Sequence, residues 1–106
     1  MADMAKKENM KKTADIIMYY GAECPHCHAM MPLVAKLEKE AKIKIEKKEV
    51  WHNEENADEM RSHEDIISHS CGGEMGVPCF FSKKKKQALC GETPYREFKE
   101  WAVKNR

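Results

Sequence analysis

The 106-residue chain lacks several features that would place it in whole classes of protein. No apolar stretch approaches the ~20 residues needed to cross a bilayer, so a membrane-spanning role is not expected. There is no internal repeat, linker or low-complexity stretch, which removes solenoids and arrays. Charge of one sign is also missing: formal net charge is +1 although 35% of residues are charged, which argues against a general polyanion binder. The run Lys83-Lys84-Lys85-Lys86 has no interleaved aromatics and lies between two short apolar stretches, so it reads as a solvated hairpin turn. Nucleic acid is not an expected partner, and neither is a membrane. Residues 1–13 are polar and lysine-rich, with no apolar core or cleavage pattern of a secretory leader. They read as a flexible tail ahead of one domain spanning 14–106, in a protein expected to be cytoplasmic and monomeric. In that compartment the five cysteines are expected as thiols, with at most a catalytic or regulatory disulfide.

What the chain does have is Cys24-Pro25-His26-Cys27, directly after the β-prone run Ile16-Ile17-Met18-Tyr19-Tyr20. If a helix starts at this motif, Pro25 occupies its first turn, where the fixed φ of proline assists initiation. Cys24 is then the cap, and a thiolate there faces unpaired N–H groups and the positive end of the helix dipole. Cys27 lies one turn away on the same face, within reach of a disulfide. Cys24 is the candidate nucleophile and Cys27 the candidate resolving thiol. His26, between them, is a candidate for stabilising the thiolate, with Pro25 fixing the turn.

The same spacing supplies half of many zinc sites, so a metal-binding module using Cys24 and Cys27 is the alternative reading. No second closely spaced pair exists, because Cys71, Cys79 and Cys90 are far apart in sequence. His26 and His28 cannot both converge with the cysteines on one ion from a single helical turn. Cys71, Cys79 and Cys90 are read as small core hydrophobes, with Cys79 also placed to approach the redox centre as a third thiol.

Periodicity gives the remaining elements. Met30, Leu33, Val34, Leu37 and Ala41 recur at helical spacing after the motif, with Pro32 inside that helix as an expected kink. Ile43, Ile45, Val50 and Trp51 suggest a second, more polar strand, joined through the helix as a parallel βαβ unit. A helix opening near Asn56 or Asp58 is expected to run to Gly72-Gly73. Val77 to Ser82 and Gln87 to Cys90 read as a hairpin, and Thr93-Pro94 as the start of a final helix bearing Tyr95, Phe98, Trp101 and Ala102.

This βαβαββα order resembles the thioredoxin superfamily in its short, glutaredoxin-like form, an α/β fold with a four-stranded mixed sheet flanked by helices. The resemblance covers residues 14–104 and is carried by Tyr20-Gly21-Ala22-Glu23-Cys24-Pro25-His26-Cys27, by Pro32 five residues after the second cysteine, and by Gly76-Val77-Pro78. It implies a thiol-disulfide oxidoreductase acting through a reversible Cys24–Cys27 disulfide, with no other cofactor. It also implies a cis peptide before Pro78 and a Val77 backbone that pairs with bound substrate, and Tyr20 joins these as a candidate substrate contact. The implied partners are a disulfide-containing protein or small-thiol substrate, together with a reductase or thiol donor, glutathione being one candidate. Two departures stand out. Thioredoxins carry a buried carboxylate where this chain has Met18, and the Gly-Gly-x-x-Asp segment that serves glutathione in glutaredoxins is replaced by Cys90-Gly91-Glu92-Thr93.

Overall fold

The structure is a computed structural model that describes residues 14–73 and 75–106. Strand β1 (Ile16–Tyr20) leads into helix α1 (Pro25–Ala41), which returns the chain to β2 (Ile45–Glu49). Helices α2 (Glu54–Ser62) and α3 (Glu64–Ser70) follow, then the hairpin β3 (Cys79–Ser82) and β4 (Gln87–Cys90), and finally α4 (Tyr95–Asn105). The sheet order is β2-β1-β3-β4. β1 runs parallel to β2, pairing Ile16 with Ile45 through Tyr20 with Glu49, and antiparallel to β3, pairing Met18 with Phe80. The fold is therefore α/β with a four-stranded mixed sheet.

Because side chains alternate across a strand, β1 feeds two cores. Ile16 and Met18 join Phe80, Met30, Val34, Leu37, Phe98 and Ala102 under α1 and α4. Tyr19 joins Cys79, Phe81, Ala88, Met60 and Ile67 under α2 and α3. A strand covered on both faces must be apolar throughout, which explains the unbroken run seen in the sequence. β2 is an edge strand and correspondingly carries Glu46, Lys47 and Lys48. Lys83 to Lys86 form the exposed turn of the hairpin.

Several helix boundaries differ from the sequence reading. The helix expected near Asn56–Gly72 is two helices, because His63 adopts φ −106° and ψ 19°, ending α2 and preceding α3. Its imidazole stacks on Phe81 at 4.3 Å between centroids, a tertiary contact that helical periodicity does not encode. The first of these helices also starts earlier, at Glu54, with the Asn53 side chain accepting from Asn56 N–H at 2.9 Å as the cap. At α4, Thr93 donates its hydroxyl to the Gly91 carbonyl and Pro94 takes the cap position instead. α1 runs continuously through Pro32. The expected tail, residues 1–13, lies outside the described residues.

Phe98 is fully buried and meets Phe80 at 4.6 Å between ring centroids, joining α4 to the sheet. Phe98→Ala is expected to cost about 3–5 kcal/mol, measured by urea unfolding. A loss under about 1 kcal/mol would mean that α4 does not hold this core.

Candidate functional site

The site forms where β1 ends and α1 begins, at the carboxyl ends of the two parallel strands. Cys24 N–H donates to the Gly21 carbonyl at 3.1 Å, closing the turn that reverses the chain. Cys24 then caps α1: its backbone is extended (φ −79°, ψ 116°), and its sulfur accepts the Cys27 N–H at 3.3 Å. Pro25 occupies the first helical turn, where its missing N–H costs nothing. Cys24 is 4% exposed and Cys27 fully buried, while Pro25 and His26 stand in solvent. The two sulfurs are thus ordered by access, one at the groove and one behind it. Burial, reinforced by the neighbouring Cys24 sulfur, pushes the Cys27 thiol up to about 12.

Val77 closes the opposite wall, with Pro78 fully buried behind it. Their peptide bond is cis, and the Val77 carbonyl lies 3.9 Å from the Cys24 sulfur. Between the walls runs an open groove of about 520 Å³ lined by Cys24, His26, Trp51, Met60, Arg61, Met75 and Val77. Of the residues singled out from the sequence, Cys24, Pro25, His26 and Val77 therefore meet at one groove, with Cys27 directly beneath. Tyr20 does not line it: the side chain is half-buried against the core under α1, and its carbonyl accepts Val50 N–H at 2.8 Å. Trp51 lines the groove instead, half-exposed at 51%, its indole lying so close over Gly21 that a Cβ there would collide with the ring.

Polar contacts missed in the sequence hold this rim. Glu49, at the end of β2, accepts backbone N–H groups from Ala22 at 2.9 Å, Trp51 at 3.1 Å and His52 at 2.8 Å. One carboxylate thereby ties the loop before Cys24 to the loop carrying Trp51. Although partial desolvation opposes ionisation, these N–H donors hold its carboxyl below the usual range. His52 bonds Glu23 at 2.7 Å, which raises the histidine, and His28 donates from Nε2 to the Ala22 carbonyl at 2.6 Å. His26 Nδ1 donates to Glu92 at 3.0 Å, so any effect of His26 on the thiolate is that of a His26–Glu92 pair.

Cys79 is not at this centre. It points into the core on the other face of the sheet, and Cys71 and Cys90 form a disulfide there with Cα atoms 5.6 Å apart. The expectation of Cys71 and Cys90 as simple core thiols is thus corrected: α3 and β4 bring together two residues separated by 19 positions, which no local pattern reveals. Among the described residues, no third cysteine, histidine or carboxylate gathers with Cys24 and Cys27 in a metal-holding group. Among them, too, no helix is long and apolar enough to cross a membrane.

No protein-family model matches the chain, and no curated protein matches its sequence. Solved structures do. A glutaredoxin from Archaeoglobus fulgidus superposes with a TM-score of 0.58 at 18% identity, covering 85% of this chain and 87% of its own. A thioredoxin from Aeropyrum pernix gives 0.60 at 26% identity, covering 84% of this chain and 72% of its own. A thioredoxin from Nicotiana alata gives 0.53 at 19% identity, over 93% and 80%. The chain has the thioredoxin-superfamily fold. Within that fold the Cys24–Cys27 turn and the Val77–Pro78 segment come into contact, Cys24 and Val77 both lining the groove just described.

Glu49 gives the site a pH dependence. Its folded carboxyl titrates below the unfolded value of ~4.3, so the stabilisation is complete above that pH and is lost as pH falls through the lower folded value. Glu49→Gln is expected to be less stable than wild type at pH 7 and to converge with it as pH falls below the ordinary glutamate range. Thermal midpoints across that range check this, and parallel curves would refute it.

Proposed function

We propose that the protein is a thiol-disulfide oxidoreductase using Cys24 and Cys27 on disulfides of proteins or small thiols. The observation that carries this reading is the ordered pair at the start of α1, with the Cys24 sulfur accepting the Cys27 N–H at the groove and the Cys27 thiol buried behind it.

The Cys24 thiolate attacks one sulfur of the substrate disulfide; that S–S bond breaks, a mixed disulfide with Cys24 forms, and the other substrate sulfur departs as a thiolate. Cys27 then attacks the Cys24 sulfur. Its high affinity for the proton comes first from burial and then from the Cys24 sulfur beside it, and the second contribution disappears once Cys24 is in a neutral mixed disulfide. The departing substrate thiolate is a suitable proton acceptor, since Met18 stands where a buried carboxylate serves in thioredoxins. The second substrate thiol leaves, the Cys24–Cys27 disulfide closes, and two electrons have passed to the substrate. A thiol donor, glutathione or a dithiol reductase, returns them, in a cytoplasmic setting where such donors are abundant.

In this reading the exposed backbone around Val77 pairs with an extended substrate segment, and Trp51 with Met75 gives its side chains an apolar surface. Pro25 and His26, both exposed beside Cys24, shape the approach of the incoming sulfur.

Cys27→Ser is expected to accumulate mixed disulfides with partners, because the resolving thiol is gone, whereas Cys24→Ser accumulates none. Cys79 lies behind the sheet, so trapping should appear in the single Cys27→Ser variant without substitution of Cys79. Non-reducing electrophoresis of affinity-purified variants checks both points. Absence of reducible adducts in Cys27→Ser, together with no disulfide reductase activity in wild type, would overturn the reading.

A further inference from the structure

The face of the sheet turned away from Cys24 and Cys27 holds a second collection of sulfur. Cys71 ends α3, Cys79 opens β3 and Cys90 closes β4, and the last two are direct cross-strand partners. The three Sγ atoms all lie within 4.8 Å of one another. Cys79 is fully buried and is a free thiol, while Cys71 and Cys90 are half-buried and form the disulfide. The exchange chemistry proposed at the groove uses none of them, since the sheet stands between the two sets.

We propose that, when Cys71 and Cys90 are reduced, Cys71, Cys79 and Cys90 bind a divalent thiophilic cation of the zinc class, and that closing the disulfide expels it. Sulfur bonds to such an ion are ~2.3 Å long, which puts ligating sulfurs about 4 Å apart. Cys79 Sγ already lies within 4.8 Å of both disulfide sulfurs, and the 5.6 Å between the Cys71 and Cys90 Cα atoms leaves those two sulfurs room to part to that distance on reduction. Three different elements supply the donors, so the objection to cysteines and histidines crowded on one helical turn does not arise. Among the described residues the group contains no carboxylate, and the thioethers Met60 and Met75 pack in the same apolar cluster, so these surroundings are those of a soft ion rather than of calcium or magnesium.

Charge decides between ions. Three thiolates against an apolar wall are costly to bury; a divalent ion cancels two of the three charges and a monovalent ion one. The carbonyl end of α3, at Cys71, adds a small preference for a cation. Half-exposure of Cys71 and Cys90 gives the ion a route to a site whose third ligand is sealed. Binding releases the protons of the thiols that ionise. Expulsion is a two-electron step: the Cys71 and Cys90 thiolates form one S–S bond, a disulfide oxidant accepts both electrons and becomes two thiolates, and the ion retains one ligand of three.

The test uses the full chain carrying Cys24→Ser and Cys27→Ser, so that the groove dithiol contributes nothing and this inference stands or falls apart from the proposed function. The protein is reduced with a phosphine, kept anaerobic and titrated with Cd²⁺ as a spectroscopic substitute, followed by competition with Zn²⁺. One ion per chain is expected, with ultraviolet thiolate-to-metal charge-transfer absorption. Adding Cys79→Ala or, separately, the half-buried Cys71→Ser should weaken binding at least about tenfold and lower that absorption, with folding followed by circular dichroism. If Cys79→Ala does not fold, Cys71→Ser decides the question. The same protein oxidised to the Cys71–Cys90 disulfide should bind no ion. Lack of charge-transfer absorption in the reduced protein, equal affinity in a folded cysteine variant, or equal affinity after oxidation would each overturn the proposal.

Discussion

Everything in this molecule is registered to β1. A strand paired on both edges and covered on both faces has no freedom to slip, because a one-residue shift would carry Ile16 and Met18 out of one core and Tyr19 out of the other. Fixing β1 fixes the point where the chain leaves the sheet, and the turn closed by Gly21 and Cys24 follows at once. The parallel partner β2 delivers Glu49 to that point, and the antiparallel partner β3 delivers Val77 and Pro78 from across it. The groove is thus a by-product of strand pairing, with its walls positioned by backbone geometry.

Much of the fold was legible in the residues. The apolar run of β1, the proline after Cys24, the amphipathic spacing of α1 and the lysine turn of the hairpin each express a local physical rule, and each element lies where that rule puts it. The break between α2 and α3 was not legible, because Met60 and Ile67 keep helical spacing across it. What interrupts the helix is the backbone of His63, whose ring stacks on a strand residue distant in sequence. β2 was anticipated to include Ile43, Val50 and Trp51, but the ladder runs only from Ile45 to Glu49, whose partner Tyr20 is the last residue of β1.

The site divided in the same way. Cys24, Cys27 and Val77–Pro78 announced themselves through spacing and family pattern. Glu49 did not, since a glutamate at the end of a polar edge strand looks like any solvated residue until two loops fold back on its carboxylate. That Trp51 and not Tyr20 lines the groove has a related reason: aromatic residues near strand ends advertise burial or exposure equally well, and the absence of a side chain at Gly21 gives Trp51 its seat above the turn. The pairing of Cys71 with Cys90 required the topology itself.

The sheet also acts as a partition between reactive atoms. Sulfur exchange proceeds by direct contact, with an incoming sulfur in line behind the bond it breaks, so thiols that cannot touch cannot scramble. Odd-numbered positions of β3 send Cys79 to one side while Phe80 seals the other, and the Cys24–Cys27 pair lies on Phe80's side. Five cysteines in a chain this short could pair in many wrong ways. Alternation along a four-residue strand sorts them into two sets that must unfold to mix.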